Sequence, residues 1–290
     1  MSSHIERKDA LALGLRIRAA AYAGDIDAQL VRAGRGRHDG VHRARKAVAR
    51  LRALLSLLRA APTPATRLEQ RARALAHGLS KLRDIQAAHG MARRLARRKS
   101  SADVQAQWRT TLDALKAERD RLLATALHAD PGFSGRRRRS AALQAAIESY
   151  NWSGITRTDI KAALHHAIRR ARRARKKVRT SFDEILRHRL RRRVRRVLLQ
   201  VDLLQEIASD ARRPNAAKQA RKLIEGELQR RRMRKRLVDR LGDERDLQLL
   251  CRSLRRLPRA GAVDQALRTT DERWPHIIAA SNKVIARGLP

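Results

Sequence analysis

The chain has 290 residues, is 42% hydrophobic, and carries 69 Lys and Arg against 28 Asp and Glu, a formal net charge of +41. Of those cations 57 are arginines interleaved with Leu, Ala, Val and Ile, which excludes a lysine-rich disordered tail and predicts a folded protein that binds a polyanion. Cys251 stands alone, which excludes a disulfide framework or thiolate cluster, and the longest run without a charged residue, the nine from Trp274 to Asn282, is far short of the roughly 20 needed to span a bilayer.

The opening MSSHIERKDALALGLRIR has no apolar stretch of secretory length, so a soluble protein in a reducing cytoplasm is expected. Ala, Leu, Arg, Glu and Gln dominate, and strand-like alternation of β-branched residues is absent, so the expected fold is all-α. In chain order, helices are predicted over about 5–33, 38–60, 64–98 and 102–128, then 157–180, 182–210, 214–257 and 262–287. Gly34 and Gly36 part the first two, Pro62 and Pro64 the next, and Ser100–Ser101 mark the turn that follows. Pro214 and Pro258 flank the longest helix, where Gly242 is an expected bend or break. Between the two sets, HADPGFSGRRRRS (128–140) reads as a linker, with Arg136–Arg139 in a solvated loop. The expected organisation is one domain over 10–287, with a first bundle over about 10–128, a linker over 129–156 and a second bundle over about 157–287.

The two sets resemble each other. His42-Arg43-Ala44-Arg45-Lys46-Ala47-Val48-Ala49-Arg50 aligns without a gap on His188-Arg189-Leu190-Arg191-Arg192-Arg193-Val194-Arg195-Arg196. Further on, Leu79-Ser80-Lys81-Leu82-Arg83-Asp84-Ile85-Gln86 aligns with Leu241-Gly242-Asp243-Glu244-Arg245-Asp246-Leu247-Gln248. The same motifs in the same order predict an internal duplication of a four-helix unit, giving two four-helix bundles.

On a helical wheel, Ala44, Val48, Leu51 and Leu55 form one stripe, and His42, Arg45, Lys46, Arg50 and Arg52 lie on the opposite half. Leu190, Val194, Val197 and Val201 likewise oppose His188, Arg191, Arg192, Arg195 and Arg196. A solvated face normally mixes signs, because i,i+4 ion pairs stabilise it, but no acid occurs between His42 and Ala61. A buried stripe with a cationic ridge behind it is the expected arrangement. Lys161, His165, Arg169, Arg172 and Arg173 form another basic face, residues 218–236 a further strip, and Arg93, Arg94, Arg97 and Arg98 end the third predicted helix. Asp84 and Asp246 would repel phosphate, so each is expected to hold a neighbouring cation in place, with Arg83 and Arg245 as partners in that brace.

VHRARKAVARLR, the later LRDIQ and second copies of both resemble the CHAD family, the conserved histidine α-helical domain, over nearly the whole chain from about residue 10 to 287. The resemblance implies two four-helix bundles about a pseudo-twofold axis with a basic cavity or groove between them. It implies non-catalytic binding of inorganic polyphosphate and a place on polyphosphate granules. By position, the implied contacts are His42, Arg45, Lys46, Arg50 and Arg52, with His188, Arg191, Arg192 and Arg196 as counterparts; Arg195, Arg169, Arg172 and Arg173 extend the basic faces. Family members often continue the second motif with Leu-Arg-Tyr, whereas Val197, Leu198 and Leu199 stand here, so Arg52 has no cationic counterpart. The two histidines are expected to be neutral donors, packed residues of a helix interface, or cations beside phosphate, since an anion raises the imidazole pKa.

Catalysis and cofactors are not expected. Glu225-Gly226-Glu227-Leu228-Gln229 lacks the lysine of the triphosphate-tunnel signature, and no phosphate loop of the G-x-x-x-x-G-K-[ST] type occurs. His38 and His42 have metal-ligand spacing, but Gly40 between them favours a turn. The alternative expectation is sequence-nonspecific binding of nucleic acid. Only seven aromatics and no helix-turn-helix signature weigh against base recognition.

Overall fold

Local capping chemistry sets several helix starts. The Ser101 hydroxyl accepts the Val104 N–H at 3.5 Å, and Thr156 and Asp159 form a reciprocal capping box at 3.2 and 2.9 Å. Asp183 accepts the N–H groups of Ile185 at 2.6 Å and Leu186 at 3.4 Å. The computed structural model describes residues 2–63, 65–97, 101–181 and 183–287, with side chains from residue 10 onward. Pro64, Arg98 and Ser100 of the expected pattern lie outside these residues.

The helices are α1 (Ser2–Gly34), α2 (His38–Leu55), α3 (Thr66–Gly78), α4 (Ser80–Ala96), α5 (Ala102–Ala129), α6 (Ser134–Glu148), α7 (Arg157–Thr180), α8 (Glu184–Ala208), α9 (Pro214–Leu254) and α10 (Gly261–Ala286). Turns of 3-10 helix cover Ser56–Ala60 and Pro131–Phe133. The fold is all-α; among the described residues there is no strand and no helix long and apolar enough to cross a membrane.

Four features depart from the expected elements. The linker holds a full helix, α6, whose Ser140, Leu143 and Ile147 are buried. Its start is built by Asp130, which accepts the N–H groups of Gly135 at 2.8 Å and Arg136 at 3.3 Å. Arg136 is therefore not a solvated loop residue: it pairs with Asp130 at 2.6 Å, covers the Phe133 ring at 4.5 Å and donates to the Gly78 carbonyl at 3.3 Å. The third predicted helix is broken into α3 and α4 at Leu79, where ψ is 7°. The second ends at Leu55 and tightens into a 3-10 turn, held where Gln200 of α8 donates to Ser56 Oγ at 2.9 Å. Gly242 does not interrupt α9, which runs unbroken for 41 residues, or about 60 Å.

Apolar packing does not divide at the expected boundary. One core joins α1, α2, α3, α6, α7, α8 and the first part of α9; the other joins α4, α5, the last part of α9 and α10. Both cores draw on both halves of the chain: α1 meets α9 and α2 meets α8 in the first, and α4 and α5 pack on α9 and α10 in the second. The consequence for function is that α2 lies beside α8 while α4 lies beside α9. Gly40, expected at a turn, sits inside α2 at its crossing with α1, where a Cβ would lie 2.5 Å from the Ala33 nitrogen.

Candidate functional site

Burial of Ala44, Ala47, Val48, Leu51 and Leu54 on α2, and of Leu190, Val194, Val197 and Val201 on α8, brings the polar sides of both helices together in a shared basic cluster along the α2–α8 seam. His42, Arg45 and Arg52 enter it from α2, and His188, Arg191, Arg192, Arg195 and Arg196 from α8; Lys46 stands exposed on its rim beside His42. Arg83 and Asp84 come from α4, and Arg245 and Asp246 from α9. Arg83 lies in electrostatic range of His42, Arg45, His188, Arg191 and Arg195 at once, which makes it the centre of the cluster.

Few of these charges are matched. Arg83 donates to Asp84 at 3.2 Å and, across the two motif copies, to Asp246 at 3.3 Å. Asp246 also lies 3.6 Å from Arg94, and Asp84 is in range of Arg45 and Arg245. The two aspartates thus face the guanidinium groups of each other's repeats. Among the described residues, Arg191 and Arg195 have no carboxylate within ion-pair distance, although both are largely shielded from solvent. Arg191 lies flat against α9, where a Cβ on Gly242 would sit 3.3 Å from its Nη2. Buried Nε atoms of Arg191 and Arg52 and Nδ1 of His188 have no hydrogen-bond partner.

Loss of solvent, then the nearby positive charges of Arg195 and Arg83, lowers the Arg191 pKa to about 10. Desolvation, then the positive charges of Arg192, Arg245, Arg191 and Arg83, lowers His188 to about 4. His42 is lowered too, by desolvation and then by Lys46, Arg83 and Arg195. Both imidazoles are therefore neutral near pH 7 in the unliganded protein. A desolvated cation without a counter-ion is costly, so the cluster is a place where an anion would be stabilised strongly.

Not every expected contact is brought here. Arg50, eight residues beyond His42, is carried round the helix toward α1, where its guanidinium lies 5.9 Å from the Tyr22 ring in a separate groove; its grouping with the cluster is corrected. Arg169, Arg172 and Arg173 are exposed on the outer side of α7, with Arg172 turned toward Arg234 of α9. Arg170 is the α7 residue that reaches the edge of the cluster, close to Arg193 and Arg196. Arg45 does more than face the ligand space: its Nη1 donates to the Ala76 carbonyl at 2.6 Å and caps the end of α3.

Five contributors escaped the sequence reading: Glu69, Arg59, Arg170, Arg187 and Glu244. Glu69 of α3 binds Arg196 and Arg59 at 3.0 Å each and lies 3.7 Å from Arg52. Arg59 and Arg170 border that carboxylate and extend the basic surface. Behind the cluster, buried Arg187 forms a two-pronged pair with Glu244, with Nε to Oε2 at 2.9 Å, and donates to Asn282 at 2.8 Å. This bond clamps α8, α9 and α10 one residue before His188. The available signal was acidity itself in one case: Glu69 is the single acid of α3, whereas Glu244 is one of six acids in α9 and did not stand out. His38 turns away from His42 to hydrogen-bond Asp120 at 2.7 Å, and no group of three or more potential metal ligands converges among the described residues.

Residues 18–229 match the family model described as CHAD domain. A solved structure, the crystal structure of the CHAD domain from the plant Ricinus communis, is 15% identical, superposes with a TM-score of 0.60, and is matched over 97% of this chain and 87% of that one. That likeness concerns the fold. No curated protein matches significantly.

Proposed function

This chain belongs to the CHAD-domain family, and we propose that it binds inorganic polyphosphate along the α2–α8 seam without transforming it. The observation that carries the reading is Arg191 with Arg195: shielded guanidinium groups that make no ion pair among the described residues, with Asp246 in electrostatic range but already engaged by Arg83 and Arg94, at the meeting of four helices. Polyphosphate has a charge on every unit and no bases, so its recognition requires converging donors and nothing that reads sequence. Arg83, Arg45, Arg52 and Arg192 supply further forks, and His42 and His188 supply neutral N–H donors that become cationic once phosphate offsets the neighbouring charge. Asp84 and Asp246 hold Arg83 in place. Binding would release counter-ions and weaken with salt. It would also place the protein on polyphosphate granules in a cytoplasm that holds them.

Duplex nucleic acid is the competing ligand, and the exposed ridge of Arg169, Arg172 and Arg173 is the surface it would meet first. The two are separated by displacing labelled duplex DNA with unlabelled long-chain polyphosphate near 150 mM salt, about physiological ionic strength. Displacement far below matched phosphate, lost when Arg45, Lys46, Arg191 and Arg192 become Ala, supports a dedicated site. Equal competition phosphate for phosphate would transfer the reading to an unselective polycation.

A further inference from the structure

Glu69 stands in the middle of the basic surface. Its side chain is only 16% exposed, with Oε1 3.0 Å from Arg196 and 3.7 Å from Arg52, and Oε2 3.0 Å from Arg59. Three guanidinium groups around a planar anion reproduce the surroundings a bound phosphate would have. On one side, Arg52 neighbours Arg45 and Arg192 and leads into the deep cluster of Arg195 and Arg191. On the other, Arg196 and Arg59 neighbour Arg170, whose carbonyl accepts from Arg193 at 3.1 Å. His166 then links Arg170 and Arg59 to Arg169 and Arg173 along α7. The 3-10 turn that carries Arg59 packs on α7, so this outer stretch is held against the cluster by apolar contact rather than by chance apposition.

We propose that Glu69 is an internal counter-anion that divides one basic track in two. Tripolyphosphate fills the inner segment alone, while long chains displace Glu69 and continue over Arg59 and Arg170. The inference rests on the polyphosphate reading above and adds to it a second subsite and a residue that sets chain-length preference. A phosphate run crossing this point exchanges one carboxylate for several phosphates, but must leave Glu69 among like charges, which lowers long-chain affinity below what the full track would give. Within the inner segment Arg52 is the arginine that borders the carboxylate, and no ion pair joins Glu69 to Arg45, Arg191, Arg192 or Arg195 among the described residues, so the shorter ligand is affected less.

The test is isothermal titration of the full chain with tripolyphosphate and with long-chain polyphosphate, at several salt concentrations. Glu69→Gln is expected to raise long-chain affinity about tenfold and steepen its salt dependence, with tripolyphosphate changed by less than about threefold. Arg59→Ala with Arg170→Ala, two exposed positions, is expected to lower long-chain affinity and abolish the Glu69→Gln gain. Equal changes for both ligands would overturn the proposal, and so would weaker long-chain binding by a Glu69→Gln protein of unaltered melting temperature, since Glu69 would then be holding arginines in their binding geometry. Should Glu69→Gln melt early, the pair at Arg59 and Arg170 decides alone: an unchanged ratio of long-chain to tripolyphosphate affinity sinks the outer segment. A wild-type chain that binds neither ligand removes the polyphosphate reading itself, an outcome distinct from the others.

Discussion

Two arginine-rich regions flank α2 and differ in how their charge is balanced. In the groove of about 890 Å³ toward α1, Arg231 pairs with Asp202 at 2.6 Å, Arg213 with Asp210 at 2.5 Å, Arg18 lies 3.7 Å from Glu206, and the Tyr22 hydroxyl donates to Glu206 at 3.0 Å. Burial and the nearby Glu206 carboxylate push the Tyr22 pKa up, and Arg50 rests on its ring. In the cluster toward α8, Arg191 and Arg195 are left without such partners. Both regions are basic in sequence, yet in the first three of the five lining arginines face a carboxylate, whereas Arg191 and Arg195 in the second make no ion pair among the described residues. Arginine density alone therefore does not mark a binding site. Unmatched, desolvated charge does.

The sharpest break of the comparison is the matched pair behind the cluster. Arg187→Met leaves Glu244 buried without its fork, and should cost about 3–5 kcal/mol in urea unfolding. Arg191→Met with Arg195→Met should do the opposite for stability, raising Tm by about 2 °C or more because half-buried cations without an ion pair among the described residues are removed. The same double variant should lose about 100-fold in polyphosphate affinity by titration. A fall in both stability and binding would mean that these arginines are structural.

The pH response follows from His188. Its folded pKa, about 4, lies below the ordinary unfolded value of about 6.5, so the unfolded chain binds a proton that the folded chain refuses. Stability contributed by this group is complete above about pH 6.5 and falls as pH drops toward about 4. Bound phosphate raises the folded pKa, so affinity should increase on acidification and binding should take up protons, as calorimetry in buffers of different ionisation enthalpy would register. His188→Gln should flatten both dependences. Smaller still, Gly242→Ala should displace the Arg191 guanidinium and weaken binding a few-fold, with stability changed by less than about 1 kcal/mol. Arg50→Ala, on the balanced side, should leave polyphosphate affinity unaltered; a clear loss would extend the site across α2.

Local sequence determined much of this molecule. Helical propensity, the Thr156–Asp159 capping box and the apolar stripes of α2 and α8 specify helices and say which side of each is buried, because those effects act within a few turns. His42, Arg45, His188 and Arg191 were legible as a cationic ridge for that reason. Periodicity reports that a face is buried, not against what. The helix hidden at 134–148, the break at Leu79 and the packing of α4 and α5 on α9 and α10 all depend on distant partners. Charge balance is longer-range still: Glu69 neutralises Arg196 from 127 positions away, and Arg83 meets Asp246 from 163. The sequence by itself determined that the protein is helical and that cationic ridges stand opposite the buried stripes of α2 and α8. Only the tertiary structure decided which arginines are spent on carboxylates and which remain for a ligand, because ion pairing falls off within a few ångströms and those distances are set by packing.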